Sequence, residues 1–292
     1  MAPEDGPVVV GVDGSPEADT ALVWALDEAR SRGVPIRLVH GAGRDRTLSM
    51  AELYAYVPVP DPAQVEGVAR RLLAEAATRA HDLAPHVLVT THVHDDPVSA
   101  LLEESESAST VALGSRHLGA LGSAVLGSVG GAVAARAACP VVVVRGPAAL
   151  AAESAAVVVG VNAGEESQAA LAFGFDIASR RSLPLHAVLC WHPDRLAEML
   201  WRAEPPAPTR VEAWLSEAVA GWRERYPEVR LHSAVVRDHP VAGLVAASTA
   251  QHLLVVAARG RRSFAGTLLG SVSQGVLHHA TCPVAVVPSS TG

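Results

Sequence analysis

Two short stretches carry the residue types that hold an anion through the backbone. Val111-Ala-Leu-Gly114-Ser-Arg-His117 reads as the end of a strand, and after nine further residues Gly127-Ser128 opens a helical pattern. Val255-Val-Ala257-Ala-Arg-Gly260 is followed, again after nine residues, by Gly270-Ser271. Glycine lets the chain approach a phosphate closely, and a helix start offers unpaired N–H groups at the positive end of its dipole. Ser128 and Ser271 add hydroxyls, and Arg116 and Arg259 are cations inside the loops that can pair with phosphate. The plain alternative for either loop alone is a flexible strand-to-helix connection.

Composition removes other chemistries. The 292 residues contain no lysine, so all 23 basic side chains are arginine. This excludes Schiff-base and pyridoxal-phosphate catalysis and the lysine-containing phosphate loop. With 30 acidic residues and a net charge of −7, the chain lacks the basic excess of a nucleic-acid binder, and no nucleic-acid partner is expected. Cys139, Cys190 and Cys282 form no C-x-x-C pair, which fits a reducing cytoplasm better than a disulfide framework or a zinc site. The start of the chain, Met-Ala-Pro-Glu-Asp-Gly, is acidic where a secretory signal is basic, so a cytoplasmic protein is expected. Leu118 to Ala135 is an uncharged run of 18 residues, the lower limit for crossing a bilayer, but its five glycines suit a loop entering a helix. No membrane partner is expected.

The elements that position these residues repeat. Val8-Val-Val-Gly-Val-Asp-Gly-Ser15 aligns on Val157-Val-Val-Gly-Val-Asn-Ala-Gly164 with a shift of 149. Leu126-Gly-Ser-Val129 aligns on Leu269-Gly-Ser-Val272, and Cys139-Pro-Val141 on Cys282-Pro-Val284, with a shift of 143. The chain is a tandem duplication, divided at 1–148 and 149–292, with the boundary in the Ala- and Pro-containing stretch from Gly146 to Ser154. Each copy alternates strands and helices: strands at Val8–Val12, Ile36–His40, Val87–His92, Thr110–Leu113 and Val141–Val144, with helices opening at Ser15-Pro16, Asp61-Pro62, Asp96-Pro97 and Gly127-Ser128. That order predicts the α/β class, with two tandem, doubly wound, five-stranded parallel sheets whose ligands sit beyond the carboxyl ends of the strands. The loops at about 42–60 and 192–207 are expected to be the mobile parts.

A Val-rich first strand ending in Asp13, the spacing of Gly114, Gly127 and Ser128, and a Cys-Pro step into a Val-rich last strand together resemble the universal stress protein family in its tandem, two-domain type. The resemblance implies an ATP-binding, stress-response regulatory protein, in which adenosine lies near Asp13 and the triphosphate in the glycine loop. The adenine is then expected at the end of the second strand, His40-Gly41 in one copy and Leu189-Cys190 in the other. The implied cofactor is ATP, with a Mg or Mn ion allowed, and the implied activity is at most slow ATP hydrolysis. Neither copy keeps the whole pattern: His117 stands at the second loop glycine of the first copy, while Asn162 and Ala257 replace Asp and Gly in the second. The first site therefore ranks above the second, whose remaining candidates are Asn162, Arg259, Gly260, Gly270 and Ser271. The alternative is a nucleotide-free scaffold. The run Ser-Gly-Gly-x-Asp-Ser of the related α-hydrolases is absent. In this family the last-strand edge is where domains associate, so the copies are expected to pack there as a pseudo-dimer, with a homodimer of tandem chains as the next level.

Three further groups have bland readings. His92-Val-His94 with Asp95-Asp96 places two imidazoles on one strand face, but a strand end with an Asp helix cap is favoured over a metal site. Cys139 and Cys282 read as buried small hydrophobes rather than redox sensors, and Trp214 and Trp222 as one core-facing helix stripe.

Overall fold

The computed structural model describes residues 5–42, 61–115, 127–145, 155–162, 164–192, 208–249, 251–258 and 269–289. The first repeat runs β1 (Val8–Gly11), α1 (Pro16–Arg32), β2 (Ile36–Gly41), α2 (Pro62–Leu83), β3 (Val89–His94), α3 (Pro97–Ser105), β4 (Thr110–Gly114), α4 (Ser128–Arg136) and β5 (Val141–Val144). The second runs β6 (Val157–Val161), α5 (Ser167–Arg180), β7 (Leu185–Cys190), α6 (Pro208–Arg225), β8 (Leu231–Val236), α7 (Pro240–Ala247), β9 (Leu253–Ala257), α8 (Ser271–His279) and β10 (Val284–Val287).

All ten strands form one sheet, ordered β3-β2-β1-β4-β5-β10-β9-β6-β7-β8. Within each repeat the pairs are parallel, and among the described residues the only antiparallel pair is β5 with β10, where Val142 faces Ala285. These two residues are equivalents in the duplication, so a pseudo-twofold axis passes between them. Both last-strand edges are thereby consumed inside the chain, as the apolar Val141–Val144 and Val284–Val287 require. A second copy of the chain has to pair through some other surface.

Alternating side chains feed two cores. Val8 and Val10 enter the core beneath α1 and α2, and Val9 enters the one beneath α3 and α4, all three fully buried. Each such burial contributes roughly 1.5–3 kcal/mol. Both cores continue across the repeats, and the α6 residues Trp214 and Trp222 pack on the first, with Trp222 stacked on Phe175 at 5.7 Å. Strand β3 lies two residues later than the sequence reading: β2 pairs Ile36 with Val89, leaving Leu88 outside the strand and 68% exposed. Of the uncharged run, the described part is the loop end and the nine-residue helix α4. No helix among the described residues is long and apolar enough to cross a membrane.

The repeats also meet through charge. Asp27 and Arg32 on α1 are the duplicates of Asp176 and Arg181 at α5, and they pair crosswise: Arg32 donates to Asp176 at 2.9 Å, and Arg181 pairs with Asp27. Between these symmetric pairs lies an asymmetric one. Glu28, fully buried, accepts from Arg32 at 2.7 Å, Arg180 at 2.8 Å and Arg181 at 2.9 Å, while its counterpart is Ile177. Burial alone would push this carboxyl up, and the charges of Arg180, Arg32 and Arg181 overcome it and hold it at about 2. Arg145 crosses in the same direction, donating to the Ala280 and Leu277 carbonyls at the C-terminal end of α8, where a cation suits the dipole.

Candidate functional site

Within the first repeat a cleft lies beyond the carboxyl ends of β1 and β4, where the strand order changes direction and doubly wound sheets hold ligands. Asp13, Gly41, Gly114, Gly127 and Ser128 all line it, with Val39, Pro97 and Leu101 as its apolar wall. Five of the first copy's candidates therefore converge, although more than 110 residues separate the first from the last. Arg116 and His117, like Arg259 and Gly260 of the second copy, lie outside the described residues, as do most of the 42–60 and 192–207 loops, Trp201 and the 146–154 boundary.

The cleft's helix end is unlike its neighbours. Ser15 caps α1 by accepting from Ala18 N, Asp61 caps α2 through Ala63 N, and Asp96 caps α3 through Ser99 N. The Asp96 cap agrees with the sequence reading. Among the described residues helix α4, starting at Gly127, has no side-chain cap, and its first residues Gly127 to Gly130 line the cleft. Among the described residues a Cβ built on Gly127 meets nothing within 4 Å, and its φ of −57° suits any residue. Asp13, exposed at the mouth, accepts from Ser15 N at 3.0 Å. His40 Nδ1 donates to the Val12 carbonyl at 2.6 Å, which fixes its ring against the cleft wall.

Gly114 and Gly41 serve packing as well as access. A Cβ at Gly114 would lie 2.4 Å from the Glu17 carbonyl group in the first turn of α1. Because backbone must move to relieve this, Gly114→Ala is expected to cost about 1–3 kcal/mol, read as a lower urea midpoint. In the second repeat α5 begins two residues later than α1 does in register, and Ala257 stands at the position of Gly114. A Cβ at Gly41 would meet Pro97 at 2.3 Å. Its counterpart Cys190 instead has its Sγ 2.7 Å from where a Cβ on Gly243 would lie, so a side chain occupies the strand end that is bare in the first repeat.

The other second-repeat candidates are engaged locally. Asn162 accepts from Gly164 N at 2.8 Å and from Ser167 Oγ at 2.9 Å, and Gly270 N donates to Ala258 O at 2.8 Å. Ser271 is exposed at the start of α8. Cys139 and Cys282 are buried and unpaired, and burial pushes the Cys139 thiol up to about 12, so it is inert as a redox sensor at neutral pH.

The glycine spacing, the cleft and the duplicated sheet coincide with a known family. The family model of the universal stress protein family matches twice, over residues 6–145 and 155–288. The chain belongs to the universal stress protein family. It is 37% identical over 293 residues to a universal stress protein of Mycobacterium tuberculosis, covering 97% of each chain. It is 35% identical over 294 residues to one of Mycolicibacterium smegmatis, covering 96% of each. A crystal structure of a universal stress protein from Archaeoglobus fulgidus matches with a TM-score of 0.73 over 98% of this chain and 99% of that one, at 18% identity, which shows the shared fold.

Sequence reading overlooked two parts of this family member. The Glu28 network joins residues about 150 positions apart, and no short-range pattern connects them. Glu104, six per cent exposed, joins His92 and His94, a partner that the sequence reading did not name. Its signal was an acid within the apolar stripe of α3.

Proposed function

We propose that the first repeat binds an adenine nucleotide, ATP foremost, and that the chain is a nucleotide-responsive regulatory protein of the stress response rather than an enzyme. The observation that carries this is the convergence of Asp13, Gly41, Gly114, Gly127 and Ser128 on one cleft at the uncapped start of α4. In this reading the α4 amides and Ser128 hold phosphate oxygens, Asp13 accepts from the ribose hydroxyls, and the backbone at His40-Gly41 reads the base. Arg116 and His117 extend the phosphate contacts from the loop. Asp13 and Ser128 supply the oxygen donors that a Mg or Mn ion arriving with ATP prefers.

The second repeat serves as the structural partner. Cys190 fills its strand end, Gly270 N is bonded to Ala258 O, and Asn162 brings no charge where the first repeat has Asp13. Three unpaired cysteines support a cytoplasmic setting. Calorimetry with ATP on the folded chain tests the reading: one site per chain is expected. No heat at millimolar ATP would overturn it in favour of a nucleotide-free scaffold, and two equivalent sites would overturn the assignment of the second repeat.

A further inference from the structure

At the β3 edge of the sheet three side chains of metal-ligating type converge, none of them assigned to nucleotide, with His94 paired in register to Gly41. His92 and His94 alternate on β3 and so share a face, and α3 brings Glu104 against them. One donor atom from each lies within 4.8 Å of the others. Glu104 Oε1 is 2.6 Å from His92 Nδ1 and 3.5 Å from His94 Nε2, while Arg37 occupies the other oxygen, Oε2.

His94 Nε2 is shielded from solvent and makes no hydrogen bond, although it points at a carboxylate. Two donors on a tetrahedral ion with bonds of roughly 2.0–2.2 Å stand about 3.3 Å apart. The His94 pair is already near that spacing, and the His92 pair needs only to open from hydrogen-bond contact. The duplication supplies an internal control. The equivalents of His92, His94 and Glu104 in register are Ala234, Val236 and Ala247, and that of Arg37 is His186. The same fold thus forms with apolar residues at all three positions, so the polar trio is not required to build it.

We propose that His92, His94 and Glu104 bind one borderline divalent cation of the Zn2+ type, in the first repeat alone. Two imidazoles and one carboxylate favour Zn2+ over Mg2+ or Ca2+, which take oxygen ligands. Arg37 limits Glu104 to one ligating oxygen and neutralises the other. His92, 43% exposed, opens the ion to solvent and leaves a coordination position for water.

The test uses the full chain, stripped with EDTA and free of nucleotide, titrated with ZnCl2 by calorimetry and with CoCl2 by visible absorption. One ion per chain is expected, unaffected by excess Mg2+, with a ligand-field spectrum on Co2+. The His92→Ala and His94→Val variants install the residues that the second repeat already carries, so the fold accommodates them. Each should weaken Zn2+ binding more than about tenfold, since even outer-sphere changes cost that much. Absence of saturable binding would overturn the proposal, and so would binding unchanged in both variants, which would place the ion on other histidines. Neither outcome touches the nucleotide reading, which rests on different residues.

Discussion

Gly127→Glu should leave the chain folded and remove ATP binding. The added Cβ meets no atom of the described residues within 4 Å and the backbone there is ordinary, so circular dichroism and the urea midpoint should match the parent. The new carboxylate would stand at the start of α4, where the nucleotide reading puts phosphate. Two like charges about 4 Å apart repel by roughly 4 kcal/mol at the effective dielectric of a protein surface, and solvent screening lowers this. A loss of at least about tenfold in affinity follows, measured by calorimetry. A folded variant that binds ATP as well as the parent would remove α4 of the first repeat from the site.

Glu28→Gln should have the largest effect on stability. The substitution keeps the shape and removes the one negative charge that faces Arg32, Arg180 and Arg181 together. Breaking a buried ion pair from one side costs about 3–5 kcal/mol, because the remaining charges stay desolvated. The same carboxylate sets an acid limb. Its value falls from the ordinary 4.5 to about 2 on folding, so its contribution is complete above about pH 4.5 and is lost as pH drops toward 2. That contribution is roughly 3 kcal/mol, since each pH unit of difference is worth about 1.4 kcal/mol. Urea denaturation at pH 7 and pH 3 should show the parent losing most of the difference between itself and the variant. Equal midpoints at pH 7 would mean that the network contributes nothing net.

What sequence could reveal followed from the range of each signal. The glycine spacing, the Pro and Asp helix starts and the valine runs are local patterns, and they placed four of the first five strands within one residue of their observed ends. Strand β3 slipped because Val87 and Leu88 look like strand residues, whereas pairing with Ile36 begins at Val89. The convergence of Asp13 with Gly127 was legible only through the duplication and the family pattern. No local feature marks Glu28 as buried, and the apolar stripe around Glu104 does not say which histidines it meets, because each depends on which helix face the fold turns inward.

The offset between Glu28 and Ile177, and between Ser31 and Arg180, has a genetic meaning. In an assembly of identical subunits every substitution beside the twofold axis arrives twice, so an acid placed there confronts its own copy and a bulky arginine confronts another. Fusing the halves into one polypeptide lifts that restriction. Each side can then mutate alone, which permits a lopsided lock at the seam and lets one lobe keep a ligand while its sibling drifts toward support.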